Sequence, residues 1–295
     1  MSFINPNLDV DSKDQAIFST SVKKVEGKNL SQIQDVLAVE EPLEIRLGFD
    51  ESGKRSYKNI SVTMRTPGSD FELAAGFLFT EGIIEQKSDI DQIDHCGPSV
   101  AKAKSRNVVR VELKSAVRID FKRLERNFYT TSSCGVCGKT SIEAVKTQNK
   151  YCKTNIKKPG KYFDKELIYK LPQILSQSQC IFEQTGGLHA TALINSGGGV
   201  ELLREDVGRH NAMDKVIGAA LIDNLIPLHD YLMFVSGRAS FELVQKALMA
   251  GLLIIAAVGA PSSLAVELAQ EFDLTLIGFV RNNRYNIYHG EWRIR

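Results

Sequence analysis

Two cysteines three residues apart stand in the run Tyr129-Thr-Thr-Ser-Ser-Cys134-Gly-Val-Cys137-Gly-Lys-Thr140. The thiolate is the form of cysteine that attacks sulfur, binds a metal or carries a persulfide. Ser141-Ile-Glu-Ala-Val-Lys-Thr-Gln148 follows with apolar residues at helical spacing, so the pair is predicted on a glycine-loosened loop feeding a helix N-terminus. The free N–H groups and partial positive charge of such a terminus favour the thiolate, and Lys139 adds a full charge. The neighbouring glycines leave the loop free to move, as a sulfur that visits two sites requires.

Basic residues collar the pair in sequence. Lys102, Lys104, Arg106, Arg110, Lys114, Arg118, Lys122, Arg123 and Arg126 lead up to it, and Lys146, Lys150, Lys153, Lys157, Lys158 and Lys161 follow. Such a collar steers an acidic partner or a phosphorylated ligand toward the thiols, or is a plain solvated face.

A second group of polar residues sits at what read as the carboxyl ends of strands. These are Glu205-Asp206-Val-Gly-Arg209-His210-Asn211, Ser236-Gly237-Arg238-Ala-Ser240, Gly259-Ala-Pro-Ser-Ser263 and Gly278-Phe279-Val280-Arg281-Asn282-Asn283-Arg284. In open α/β sheets ligands bind just beyond those ends. Small or glycine residues that expose backbone N–H groups, set beside arginine, make anion-binding chemistry. Arg209, Arg238, Arg281 and Arg284 can grip phosphates bidentately, while Asn282, Asn283 or Asp206 can read the edge of a base or pterin. No loop is a Walker A or GxGxxG fingerprint, so nucleotide hydrolysis and dinucleotide redox chemistry are not indicated. His189 falls in a strand pattern and reads as a hydrogen-bonded core residue. His210, in a polar turn, is the better candidate for ligand contact or proton transfer.

The elements that must position these groups follow from the patterning. The 295 residues suffice for two domains with a sizeable core, and 43% apolar with 24% charged residues is the balance of a soluble globular chain. No stretch approaches the roughly 20 apolar residues of a membrane span. The start, Met1-Ser-Phe-Ile-Asn-Pro6, lacks the pattern of a signal peptide, so the cytoplasm is the expected compartment. Five cysteines do not suggest a disulfide scaffold; Cys96, Cys152 and Cys180 read as packing residues.

Residues 1 to about 28 read as a loose tail or an edge strand. Alternating runs over 38–48 and 60–68 predict a hairpin, Phe71–Phe79 a helix capped by Asp70 and stopped by Gly82, and Val108–Leu113 a strand. Together they make a small α+β domain over 1–125. In the second domain, 126–295, Pro172 is expected to end one helix and restart another. A hairpin follows, from Cys180-Ile-Phe through Ile194, turning at Ser196-Gly-Gly-Gly199 into Val200–Arg204. Then come helix 211–224, strand 231–236, helix 240–250, strand 252–258, helix 262–271 and strand 274–280. Tyr231-Leu-Met-Phe-Val and Leu252-Leu-Ile-Ile-Ala-Ala-Val are continuously apolar, as in parallel strands covered on both faces, which predicts a three-layer α/β sandwich.

Five motifs in fixed order resemble the FdhD family, the sulfur-carrier proteins needed for formate dehydrogenase activity. They are Ser133-Cys-Gly-Val-Cys-Gly138, Gly186-Gly-Leu-His-Ala190, Arg204-Glu-Asp-Val-Gly-Arg-His-Asn-Ala-Met-Asp-Lys215, Ser236–Ser240 and Gly278–Arg284, within a likeness running from about 38 to 288. The resemblance implies a cytoplasmic sulfurtransferase that takes persulfide sulfur from a cysteine desulfurase. It delivers that sulfur to the molybdenum, or tungsten, bis-guanine-dinucleotide cofactor of formate dehydrogenase, and GDP is a fragment of this acceptor. It further implies a homodimer and a cytidine-deaminase-like α/β/α C-terminal domain, with neither nucleic acid nor membrane as partner. Cys134 and Cys137 match the persulfide-bearing pair, and Phe279, Val280, Arg281, Asn282, Asn283 and Arg284 match the segment credited with cofactor binding. Which cysteine holds the persulfide is left open by the match.

Four other readings are weighed against it. A zinc deaminase needs a His- or Cys-Ala-Glu motif followed by Pro-Cys-x-x-Cys, but here Thr191 follows His189-Ala190 and the cysteines precede the histidine. A thioredoxin-like fold wants a strand directly before its CxxC, which Tyr129-Thr-Thr-Ser-Ser133 is not. A structural zinc site would recruit His95 and Cys96. A non-catalytic chaperone that binds and inserts the molybdenum cofactor would use the same arginines, but has no need of a loop thiolate.

Overall fold

The computed structural model describes residues 13–97, 106–119 and 161–295. One helical turn, α1 (Lys13–Ala16), leads into an antiparallel ribbon of β1 (Ile17–Glu26) and β2 (Asn29–Ala38), which turns through Gly27 at φ 62°. The expected tail or edge strand is thus half of a hairpin. Its other half escapes periodicity because the ribbon is buried on neither face: Phe18, Val25, Leu30 and Leu37 are all exposed.

A four-stranded sheet follows in the order β4-β3-β6-β5, built from β3 (Glu41–Glu51), β4 (Lys54–Arg65), β5 (Ile90–His95) and β6 (Val108–Leu113). The β3–β4 hairpin and β6 fall where alternation predicts them, and Leu43, Ile45, Leu47, Val109 and Val111 are fully buried. They join one core with α2 (Asp70–Thr80), in which nine of 11 residues are buried. A helix apolar all round is covered all round. Its N-cap position is Ser69, not Asp70; Asp70 instead takes two 2.9 Å hydrogen bonds from the guanidinium of the fully buried Arg65.

The larger sheet is preceded by α3 (Lys165–Ser178) and α4 (Cys180–Thr185). Its strands are β7 (His189–Asn195), β8 (Val200–Asp206), β9 (Tyr231–Val235), β10 (Ile254–Ala257), β11 (Thr275–Arg281) and β12 (Arg284–His289), in the order β12-β11-β10-β9-β7-β8. β9, β10 and β11 are parallel; β12 is antiparallel to β11, and β7 to both β8 and β9. Three helices, α5 (Arg209–Ile222), α6 (Phe241–Met249) and α7 (Ser263–Glu271), share a core with Met233, Val235, Ile255, Ala257 and Leu276. The alternate residues Leu232, Phe234, Ile254, Ala256 and Ile277 share a second core with Ile168, Leu171 and Leu175 of α3. Helices therefore cover both faces, which is why these strands are apolar at every position.

Two expectations are corrected. α3 runs unbroken through Pro172, held by the burial of Ile168, Leu171 and Leu175 on either side of it; packing outweighs the one backbone bond that proline removes. Cys180–Thr185 is a helical turn rather than strand, because the Glu205 carboxylate accepts from the N–H groups of Ile181 (3.0 Å) and Phe182 (2.8 Å) and Gly186 terminates it at φ 65°. A short carboxylate-capped turn leaves little signal in local periodicity.

The two sheets are tied through α2 and α5. The larger core runs continuously from β3 and β6 across α2 to α5 and α6. Polar links reinforce the joint: Arg204 donates to both Glu72 oxygens (2.5 and 2.6 Å), and Thr80 donates to Asp214 at 2.9 Å.

Candidate functional site

β8 and β9 both run antiparallel to β7, so the start of β7 and the carboxyl ends of β8, β9, β10 and β11 share one edge of the sheet. The loops leaving that edge touch in series. At the loop after β9, a Cβ on Gly237 would lie 3.4 Å from His189 Nδ1 and 3.5 Å from Arg209 Cδ. Gly259 N–H donates to Gly237 C=O at 3.0 Å, and a Cβ on Gly259 would press on Arg238 at 3.0 Å. Phe279 N–H donates to Gly259 C=O at 3.0 Å, and a bridge pairs Ala239 with Pro261. The four segments singled out by composition thus form one rim. Glycine at 259 is favoured because a Cβ there would stand 2.9 Å from the Gly237 C=O, whereas at 237 the contacts are ordinary van der Waals ones.

Arg209 is the first residue of α5, and its buried Nε has no hydrogen-bond partner among the described residues. A guanidinium N–H without such a partner at the start of a helix is a candidate donor to an anion. His210 Nε2 lies 3.4 Å from Ser240 Oγ and 3.4 Å from Glu242 Oε2. Burial, then Arg209, Lys246 and His189, push its imidazole down to about 3, so the ring is neutral at physiological pH. Ser236 Oγ accepts from Ala190 N–H at 2.9 Å and stands 3.4 Å from His189 Nδ1. Arg238 is exposed beside it.

The last segment of the rim is a tight hairpin. Asn282 and Asn283, both at φ 53°, make a two-residue turn closed by Arg281 and Arg284, and all four side chains are exposed. Positive φ at both central residues is the geometry in which asparagine is at home. Phe279, also left-handed at φ 56°, carries the bulge before the turn, and Arg281 lies 5.8 Å from its ring centre. Val280 differs from its neighbours: its side chain is fully buried in the α3-side core, so only its backbone faces the rim.

Asp206, read above as able to meet a base edge, is sealed inside. It is fully buried, 2.8 Å from Lys215 Nζ, and accepts from the backbone N–H groups of Thr66 and Gly208 and from Asn211 Nδ2. Lys215 also donates to Thr66 C=O at 2.9 Å. Asp206 therefore anchors the loop that carries Arg209 to the end of β4. His189 is half-buried at the rim rather than sunk in the core, and Glu242 joins the site through His210; one lay hidden in a strand pattern and the other carried no sequence signal.

Cys134 and Cys137 lie outside the described residues, as do the collar residues Lys102, Lys104, Lys122, Arg123 and Arg126 and the lysines from 146 to 158. Of those described, Arg110 is paired with Glu112 at 2.7 Å and Arg118 donates to Ser115 C=O. His95 Nε2 is 4.0 Å from Asp70 and its ring packs on Phe71; among the described residues no group of three metal-ligating side chains is assembled. No helix among them is long and apolar enough to cross a membrane.

Helices on both faces of the larger sheet, with an arginine- and glycine-lined rim at its strand ends, define a mixed α/β protein. The FdhD/NarQ family model matches residues 38–295. Sulfur carrier protein FdhD of Streptomyces coelicolor is 48% identical over 92% of this chain and 94% of its own length. The protein of that name from Mycolicibacterium paratuberculosis is 49% identical over 86% and 90%, and that of Sulfurisphaera tokodaii 39% over 92% and 97%. The crystal structure of a candidate formate dehydrogenase accessory protein from Desulfotalea psychrophila superposes with a TM-score of 0.68, covering 95% of this chain and all of that one at 22% identity. The chain belongs to the FdhD/NarQ family.

Proposed function

We propose that this protein is a sulfur carrier that matures formate dehydrogenase by moving sulfur from a cysteine desulfurase to that enzyme's molybdenum bis-guanine-dinucleotide cofactor. A thiolate of Cys134 or Cys137 attacks the outer sulfur of the donor's persulfide. The new S–S bond forms as the donor's S–S bond breaks, and the donor leaves as a thiolate. The second cysteine then attacks the inner sulfur, closing a disulfide and expelling sulfide to the metal. The cofactor is the substrate here, gripped through its diphosphates by Arg209, Arg238, Arg281 and Arg284, with Asn282 and Asn283 available to the guanine edge. A cytoplasmic homodimer and a deaminase-like larger domain belong to the same proposal.

The observation that carries this reading is the convergence of four arginine-bearing or glycine-bearing loops at Gly237 and Gly259, with a buried guanidinium N–H that has no partner among the described residues. The relatives' name, sulfur carrier protein, supplies the chemistry. The test is mass spectrometry of the full chain after incubation with a desulfurase and cysteine. A gain of one sulfur, about 32 Da, is expected, reduced in Cys134→Ala or Cys137→Ala and lost in the double variant. An adduct that survives the double substitution ends the proposal. Full maturation of formate dehydrogenase by the double variant would favour the non-catalytic chaperone.

A further inference from the structure

The rim sets the His189 imidazole and the Arg209 side chain against Gly237, the Arg209 Nε being without a partner among the described residues, and the hydrogen-bonding of Ser236 ties that imidazole to whatever binds there. Ser236 Oγ receives the Ala190 N–H at 2.9 Å, leaving one lone pair and the rotatable hydroxyl hydrogen. His189 Nδ1, 3.4 Å away, takes that hydrogen when the neutral ring carries its proton on Nε2, and gives an N–H to the remaining lone pair whenever Nδ1 is protonated, as it always is in the charged ring. In the first state the hydroxyl hydrogen is consumed inside the protein. In the second it is free to point outward.

We infer that His189 takes up one proton from solvent when a diphosphate ester binds beside Arg209, and that this proton turns the Ser236 hydroxyl hydrogen toward a ligand oxygen. The inference rests on the reading of the rim as a diphosphate site and adds a proton to it. One N–H bond forms at His189 Nδ1; no electrons move.

The charges around His189 give the direction. Burial first, then Arg209 of α5, hold its imidazole below the usual value, while Asp206 of β8 pulls the other way. Asp206 is already committed to Lys215. His210 of α5 and Arg238 of the loop after β9 add no negative charge, and the nearest carboxylate of α6, Glu242, faces His210 and Lys246 instead. A bound diphosphate offsets the Arg209 charge and sets its own negative charge beside the ring, against the further burial it brings. His210, pressed much further down and facing Lys246 as well, stays neutral. Proton uptake by His189 and anion binding then reinforce each other, as linkage requires.

The full chain is titrated calorimetrically with diguanosine diphosphate, whose diphosphate is esterified at both ends and does not itself titrate near neutrality. Two buffers of different ionisation enthalpy at one pH report the protons exchanged. Uptake approaching one proton per ligand is expected, with affinity falling about three- to tenfold per unit of rising pH between about 6.5 and 8. His189→Gln should still bind but exchange no proton and show less than about a twofold pH effect. Should that variant fail to fold, histidine NMR of the unaltered chain answers the same question, since only five rings must be assigned. Binding with equal heats in both buffers, or uptake that persists in His189→Gln, overturns this inference and leaves the diphosphate reading standing. Failure of the unaltered chain to bind either diguanosine diphosphate or GDP overturns both.

Discussion

Gly76 of α2 and Gly218 of α5 face each other so closely that neither position has room for a Cβ. One built on Gly76 would lie 1.9 Å from Asp214 C=O and 2.8 Å from Gly218 N; one built on Gly218 would lie 1.8 Å from Glu72 C=O and 2.8 Å from Gly76 N. Backbone thus meets backbone where the smaller sheet's helix crosses the larger sheet's helix. Gly76→Ala should lower stability by about 3 kcal/mol, the upper part of the range for overpacking, because the obstructing atoms are backbone and cannot swing aside. Urea denaturation checks it, and a midpoint within error of the parent would mean that the helices are not in contact here. The same substitution at Gly27, whose surroundings are open, meets nothing and pays only for its positive φ.

Beside that crossing, Lys246 and Asp214 are 3.0 Å apart with both side chains 3% exposed, and Thr80 joins them by donating to Asp214 and accepting from Lys246. Burial works against the Lys246 charge, but Asp214, Glu81 and Glu242 outweigh it and hold the ammonium charged. Lys246→Met should cost about 3–5 kcal/mol, because it strands a carboxylate in the core. Replacing both partners, Lys246→Met with Asp214→Leu, should recover a substantial part of that loss. A double variant no more stable than Lys246→Met would contradict this account.

Stability should decline on mild acidification. His95, His189 and His210 all have imidazoles held below the ordinary value near 6.5, chiefly by burial, with His210 at about 3. The unfolded chain therefore binds more protons than the folded one below about pH 6.5, and the folded state loses ground as pH falls through that window. Asp214 acts oppositely: burial raises it to about 6, so below that pH the folded state holds a proton the unfolded chain lacks until about 3.8. The loss is expected to set in as pH falls through about 6.5 and to deepen toward lower pH, offset in part from about pH 6 downward by Asp214. Urea midpoints measured against pH in the parent and in His210→Gln should diverge there, the variant being flatter.

The Asn282–Asn283 turn separates shape from contact. Asn283→Gly keeps a residue comfortable at φ 53° and should leave stability within about 0.5 kcal/mol of the parent, while weakening GDP if the amide meets the guanine. Asn282→Val should cost about 1 kcal/mol or more, since a β-branched residue resists that backbone region. Calorimetry with GDP and thermal melting, run on both variants, distinguish the two roles.

Much of the larger sheet was legible without coordinates. Runs such as Tyr231-Leu-Met-Phe-Val235 are apolar at consecutive positions only when both faces are covered, and each ends in a glycine- or serine-bearing loop, so strand ends and candidate ligand loops could be read together. Elements held by distant contacts were not legible. The helical turn at Cys180 depends on Glu205, 25 residues onward, and the passage of α3 through Pro172 depends on a core shared with β7 and β9. Val280 sits in a motif of exposed polar residues, yet alternation about the bulge at Phe279 sends its side chain inward.

Residue types and their order along the chain determined which chemical groups this protein carries: a thiol pair, four arginines, and small residues at the strand ends. Local composition suffices for that, because ionisation and hydrogen-bonding capacity belong to the side chains themselves. Only the tertiary structure decided which of those groups are spent and which are free. Asp206 is consumed by Lys215 and Thr66, His189 at the start of β7 stands at the rim, and Arg209 keeps an N–H without a partner among the described residues, because each outcome depends on atoms supplied by segments far away in sequence.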